Sequence, residues 1–348
     1  MAETSDPPRV VAVAIVGTGR AGKIHAGNFA SQVPQAHLVA FADPSEQALA
    51  DVSKDFAHVE VSTDPIDVVH RSDVDAVVVA APTAYHETIV VEATRAGKHV
   101  LCEKPMAITV GECEAMTAAA ESSGVRLQIG FMRRFDPSFV AAKEAIDRGD
   151  IGDVVSVRSL THGPSIPKPW QYDISKSNGP LAEVNSHDID TLRWLTGSEF
   201  RDVHAIAGNF RCPDAKADFP DFYDNVLMLV SFENGMQGVI DGAVSVRYGY
   251  DARLEVLGTC GVLTVGELSG DGVTVCTSKD GGTAEISRSW RNLFEAAYLA
   301  EDRDFIACIV EGREPRVTGR DGLEAVRAVV AGNRSITEGR PVRLERPT

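Results

Sequence analysis

Residues 10–16, Val-Val-Ala-Val-Ala-Ile-Val, lead straight into Gly17-Thr18-Gly19-Arg20-Ala21-Gly22, and residues 23–31 beyond them have a helix-compatible pattern. A strand that reverses into a helix through three glycines so spaced leaves few folds open. The first glycine permits the tight turn, the second lets backbone approach a ligand, and the third lets helix and strand pack closely. The alternation then recurs. Apolar runs at 37–42, 74–80, 99–102 and 126–130 are separated by helix-compatible stretches at 45–56, 86–96 and 111–122. Apolar strands alternating with helices predict an α/β fold with a parallel sheet covered on both faces.

By itself G-x-G-x-x-G is a weak signal, and its place between a strand and a helix gives it weight. Asp43 closes the second apolar run, 21 positions after Gly22. A carboxylate there accepts hydrogen bonds from an adenosine ribose and repels a 2′-phosphate, which predicts a Rossmann domain that binds NAD. Arg20 is a nearby basic side chain, and it leaves NADP open. An incidental glycine-rich turn in some other α/β fold is the plain alternative.

After about Gly130 the texture changes. Residues 137–148 read as a helix, and 161–182, with four prolines and two glycines, read as a long loop. Residues 188–195 read as a helix stopped at Gly197. Strand-like runs at 203–210, 226–233, 236–246, 251–258 and 261–266 predict a large, mostly antiparallel open sheet, and helices at 293–311 and 321–337 close the chain. The expected organisation is a Rossmann domain over 9–130 and a second α/β domain over 131–348, whose last helix may pack back on the first; residues 1–8 read as a disordered lead.

The formal net charge of -16 repels phosphate backbones and anionic membranes, so nucleic acid and membrane are not expected partners. The six cysteines, Cys102, Cys113, Cys212, Cys260, Cys276 and Cys308, form no CxxC pair, and neither zinc nor a disulfide framework is expected. His162 and His204 have no partners at metal-binding spacing. There is no basic-flanked leader and no run of ~20 apolar residues, so a cytoplasmic location is expected.

Two constellations carry chemistry. Cys102-Glu103-Lys104-Pro105 follows the run at 99–102, at the carboxyl edge of the sheet where ligands of such folds bind. A lysine there can polarise a substrate hydroxyl and stabilise developing alkoxide charge. In Glu183-Val-Asn-Ser-His187-Asp188-Ile-Asp190, a helix would place Glu183, His187 and Asp190 on one face. A histidine flanked by carboxylates can take a hydroxyl proton near neutral pH. The equally weighted alternative is a helix N-terminus where acids complement the dipole.

Further strings sharpen this: G-T-G-R-A-G-K-I-H at 17–25, A-D-P at 42–44, G-K-H-V-L-C-E-K-P at 97–105, G-F-M-R-R-F-D-P at 130–137 and S-H-D-I-D at 186–190. Together they resemble the glucose–fructose oxidoreductase / inositol dehydrogenase (Gfo/Idh/MocA) family, and F-M-R-R-F-D and R-Y-G-Y-D at 247–251 resemble its inositol dehydrogenases. The resemblance implies Lys104 and His187 as the catalytic pair and Glu183 as a carboxylate beside them. It also implies Pro82, His86 and Glu103 near the cofactor, and Met132, Arg133, Asp190 and Tyr250 at the substrate; helix capping explains His86 equally well. Such inositol dehydrogenases typically carry Asp where this chain has Glu183. Trp170 and Tyr172 could stack on a sugar ring or pack the loop. For His25, packing near the cofactor loop is at least as good a reading as ligand contact.

The expected function is NAD-dependent oxidation of a ring hydroxyl on a cyclic polyol or sugar by a homo-oligomer, a dimer or tetramer, with His187 as general base. Two alternatives stand beside it. One keeps NAD bound and oxidises transiently, to isomerise a sugar or cleave a glycosidic bond; the other is a sugar sensor without turnover.

Overall fold

The computed structural model describes residues 10–266, 287 and 289–346. The expected lead at 1–8 and Cys276 lie outside them. The chain divides into two compact units. The first holds the described residues up to Ala107, Gly111–Gly130 and Tyr298–Arg320. The second holds Ile108–Val110, the described part of Phe131–Ala297, and the chain from Asp321. The expected second domain, 131–348, therefore gives up Tyr298–Arg320 to the first unit.

The first unit alternates β1 (Val11–Val16), α1 (Arg20–Ser31), β2 (Ala36–Ala42), α2 (Glu46–Ser53), β3 (Glu60–Ser62), α3 (Pro65–Val69), β4 (Ala76–Val79), α4 (His86–Arg95), β5 (His99–Cys102), α5 (Val110–Ser123) and β6 (Leu127–Ile129). The sheet order is β3-β2-β1-β4-β5-β6, parallel throughout. This is the doubly wound order, with its switch point between β1 and β4. Every residue of β4 is buried, as a strand covered on both faces requires. Strand β3 and helix α3 were not expected from the sequence, being too short for any periodicity to register. Helix α3 nonetheless has local signals: Asp64 caps it, accepting from the Ile66 N–H at 2.8 Å, and Pro65 opens it.

The second unit contains α6 (Pro137–Asp147), β7 (Val154–His162), α7 (Ile174–Ser177), α8 (Gly179–Glu183), α9 (Ser186–Thr196), β8 (Phe200–Gly208), β9 (Asn225–Phe232), β10 (Gln237–Ala243), β11 (Asp251–Gly258), β12 (Val262–Val265) and α10 (Trp290–Leu293). Helices α11 (Glu295–Glu311) and α12 (Gly319–Glu338) and strand β13 (Val342–Arg343) follow. The sheet order is β12-β11-β7-β10-β9-β8-β13, antiparallel except where β7 and β10 run parallel. Strand β7 was missed in the sequence, although Val157, Ser159 and Thr161 alternate inward against Arg158 outward. Two small hydroxyls on the inner face hid the pattern. The expected long loop at 161–182 begins with the end of β7 and contains a 3₁₀ turn, Pro169–Tyr172, followed by α7 and α8.

Helix α11 carries the chain back to the first unit; the last helix, α12, lies almost wholly in the second. Phe305, Ile306 and Ile309 of α11 are buried with Val11, Val13 and Ile15 of β1 and Ala26 and Phe29 of α1. Each such side chain contributes about 1.5–3 kcal/mol on burial, so this late segment is integral to the first core. Among the described residues no helix is long and apolar enough to cross a membrane, and no group of three His, Cys, Asp or Glu side chains could hold a metal ion.

Candidate active site

Strand β1 ends at a loop whose glycines have separate steric causes. Gly17 adopts φ +96°, and a Cβ on it would lie 2.6 Å from the Ala80 carbonyl. A Cβ on Gly22 would lie 1.9 Å from the Gly17 oxygen, so helix α1 can approach β1 only with glycine there. Gly19, at the N-cap of α1, has nothing within 4 Å of where its Cβ would sit. No side chain caps this helix and its first turn carries no acid, which leaves the donor end of α1 suited to a pyrophosphate. Arg20 is exposed and Ala21 half-buried behind it.

Asp43 closes the loop. Its Oδ2 accepts from both the N–H and the hydroxyl of Thr18 at 2.9 Å, and its Oδ1 accepts from the Ser45 N–H at 3.0 Å. Two donors occupy Oδ2 and one occupies Oδ1, so one lone pair of Oδ1 is left for a ribose hydroxyl. The loop's open helix N-terminus and its acid thus fit the pyrophosphate and ribose of an adenine dinucleotide.

At the end of β5, Lys104 is half-buried and joined to Pro105 by a cis peptide bond. Its N–H donates to Glu103 Oε2 at 3.0 Å, and Glu103 is itself buried. Gly130 leaves the space that this carboxylate fills, since a Cβ there would meet Glu103 Oε2 at 3.1 Å. His86, expected near the cofactor, is buried. Its Nε2 lies 2.8 Å from the Ala81 carbonyl and its Nδ1 3.0 Å from that of Pro105, so it clamps the loops after β4 and β5 together. Burial holds its pKa below the usual histidine value despite those carbonyls. Pro82, just before it, is exposed at the cap of a 3₁₀ turn.

In the second unit, Met132, Arg133 and Arg134 lie in a buried 3₁₀ turn. Arg133 is 1 % exposed and donates to Asp188 Oδ1 at 2.8 Å and to the Thr161 hydroxyl at 2.7 Å. Its guanidinium lies over the rings of Phe139 and Phe294, and it is hydrogen-bonded to Tyr250. Asp190 is fully buried and receives Arg134 at two oxygens, at 2.9 and 2.6 Å. Arg133, Asp190 and Tyr250, expected at the substrate, are each buried and paired internally. These charges anchor helix α9, because an unpaired charge at such depth would cost several kcal/mol.

His187 directly precedes the first of these anchored acids on α9. It is 5 % exposed, with its ring edge-on to Phe131 at 6.0 Å. Helix α9 does not extend back to Glu183, which ends α8 and accepts from Gln171 Nε2 at 2.8 Å. The expected single helical face carrying Glu183, His187 and Asp190 is therefore broken between two helices. Trp170 is half-buried in the turn before α7, whereas Tyr172 packs edge-on to Phe222 at 4.8 Å.

Asp188 was missed as the organising acid of this region. It also accepts from Ser159 at 2.5 Å, Thr161 at 2.8 Å and Asn185 at 2.8 Å. The inward hydroxyls of β7 were the available signal.

Residues 11–131 match the family described as "Oxidoreductase family, NAD-binding Rossmann fold", and residues 139–264 match the GFO/IDH/MocA C-terminal domain. The chain is 32% identical over 338 residues to scyllo-inositol 2-dehydrogenase (NAD(+)) of Bacillus subtilis (strain 168), covering 96% of each. It is 33% identical over 331 residues to inositol 2-dehydrogenase of Rhizobium meliloti (strain 1021), covering 95% of this chain and 98% of that protein. A solved structure of scyllo-inositol dehydrogenase from Lactobacillus casei with bound NAD(H) and scyllo-inositol superimposes with a TM-score of 0.85 at 28% identity, over 97% of this chain and 99% of that one. The chain thus belongs to the GFO/IDH/MocA oxidoreductase family, and its first unit is the NAD-binding Rossmann fold of that family.

Proposed function

We propose that this protein is an NAD-dependent dehydrogenase that oxidises a secondary ring hydroxyl of an inositol-like cyclic polyol. The observation that carries the reading is similarity along nearly the whole chain to inositol 2-dehydrogenases, in a chain that has both Lys104 and His187. His187 Nε2 or Nδ1 accepts the hydroxyl proton, and the Lys104 ammonium stabilises the oxygen as it becomes alkoxide-like. The clamp through His86 holds the loop carrying Lys104, and the Arg133–Asp188 and Arg134–Asp190 pairs hold the helix carrying His187. Bound NAD supplies the hydride acceptor. A screen of inositols and aldoses with NAD and NADP, followed by NADH absorbance, should give turnover with an inositol and NAD; turnover of none of them would overturn the reading.

Cofactor preference follows from Asp43. Asp43→Ser should weaken NAD binding about tenfold, roughly 1.4 kcal/mol, and narrow the preference over NADP. Titration by nicotinamide fluorescence checks this, and an unchanged NAD/NADP ratio would exclude Asp43 as the discriminating group.

Self-association is part of the same reading. The outer face of the second sheet exposes Ile206 at 62% and Leu229 at 60%, with Leu227 directly opposite Ile206. An apolar patch of this kind marks a protein contact. The Ile206→Lys/Leu229→Lys double variant should have a lower mass by light scattering than the parent chain; equal masses would place the contact elsewhere.

A further inference from the structure

One buried cluster in the first unit is not used by the proposed chemistry. His25 of α1 is fully buried, with Nδ1 2.7 Å from Asp302 Oδ1 and Nε2 3.2 Å from Glu103 Oε1. The second oxygen of Asp302 accepts from Asn28 Nδ2 at 2.7 Å. The second oxygen of Glu103 accepts from the Lys104 N–H. An unbroken chain of contacts thus runs from α11 through α1 to the peptide of Lys104.

We propose that His25 is the positioning residue of Lys104: bridging Asp302 and Glu103, it holds the carboxylate that fixes the Lys104 peptide. This rests on reading Lys104 as the amine that polarises the substrate hydroxyl. The geometry asks for a doubly donating ring, because both nitrogens face carboxylate oxygens. Burial opposes the charged ring, yet Asp302 and then Glu103 outweigh it, and the pKa of His25 stands well above 6.5. Glu103 is held below the usual carboxylate range by the same contact, again against burial.

Other groups facing the ring do not replace this partnership. Tyr298 meets it edge-on at 5.6 Å. Glu301 is buried with both carboxyl oxygens lacking a hydrogen-bond partner, and burial followed by the Glu103 charge pushes its pKa well up. Asn28 is committed to Asp302.

The sign of the pH dependence follows. A histidine with a raised folded pKa holds its contribution in full below the unfolded value of about 6.5 and loses it as pH climbs through the folded pKa. Above that pH one of the two carboxylate contacts loses its proton, and Glu103 loosens its hold on the Lys104 peptide.

The test uses the full-length protein and its His25→Gln variant. The rate of Lys104 acetylation by acetic anhydride is measured by mass spectrometry against pH, with exposed Lys54 as internal reference. In the parent chain the Lys104/Lys54 ratio should bend at a pH well above 6.5, and the bend should vanish in His25→Gln. With a turned-over polyol, kcat should fall by about 10–100-fold with KM little changed, as expected for a displaced catalytic group. A parent ratio without the bend, or a variant retaining both bend and kcat, overturns the proposal. If His25→Gln does not fold, Asp302→Asn is read the same way and should weaken or abolish the bend; its persistence unchanged overturns the proposal. Absence of any polyol turnover by the parent chain would overturn the dehydrogenase reading, while the acetylation profile still decides the role of His25.

Discussion

His187→Ala should lose about 10²–10⁴-fold in kcat, the range supplied by a positioned general base. NADH affinity should remain that of the parent chain, because the glycine loop and Asp43 belong to the other compact unit. Steady-state kinetics with the best inositol, beside a fluorescence titration of NADH, separates the two effects. Added imidazole should restore part of the lost rate, since a small base can occupy the space the side chain leaves. Full turnover by the variant would remove His187 from the mechanism and leave it a packing residue of α9.

Asp188→Ala should be the most destabilising single change in the second unit. It removes the acceptor for Arg133, Ser159, Thr161 and Asn185 at once and leaves a guanidinium buried against Phe139 and Phe294. Breaking a buried ion pair from one side costs about 3–5 kcal/mol. The midpoint of urea unfolding should fall accordingly with its slope retained. Adding Arg133→Leu should recover part of the loss, because the uncompensated charge goes with it. A loss of under about 1 kcal/mol in Asp188→Ala would mean that water reaches Arg133 and that the pair does not anchor α9.

The parts of the site that were legible in the sequence are those encoded by neighbours in the chain. The glycine loop needs Gly17 and Gly22 for contacts within a few residues or with the end of β4, and its acid follows β2, the other neighbour of β1. Periodicity likewise exposed the buried strands β1 and β4 and the helix stopped at Gly197, where an αL conformation ends α9. Strand β7 escaped because its inner positions are Ser159 and Thr161, whose purpose appears only once Asp188 faces them.

Charge roles were the least legible. The family resemblance implied Arg133, Asp190 and Tyr250 at the substrate, and it gave no sign that each is buried against a partner more than 50 positions away in sequence. Spacing in the chain carries no information about such pairings. The single helical face through Glu183 was misjudged for a related reason: Val184 and Asn185 break the helix whose continuity the i, i+4 argument assumed.

By itself, then, the sequence determined the α/β class, the Rossmann order of the first unit and the dinucleotide loop, since each follows from local sterics and period. Only the tertiary structure decided which buried charges pair with one another. It returned Tyr298–Arg320 to the first unit, and with it Asp302, which lies 277 positions from His25 and 2.7 Å from its ring. Burying a charge is costly without a partner, so the fold selects the pairs, and a partner brought in by a distant helix is invisible until that helix is in place.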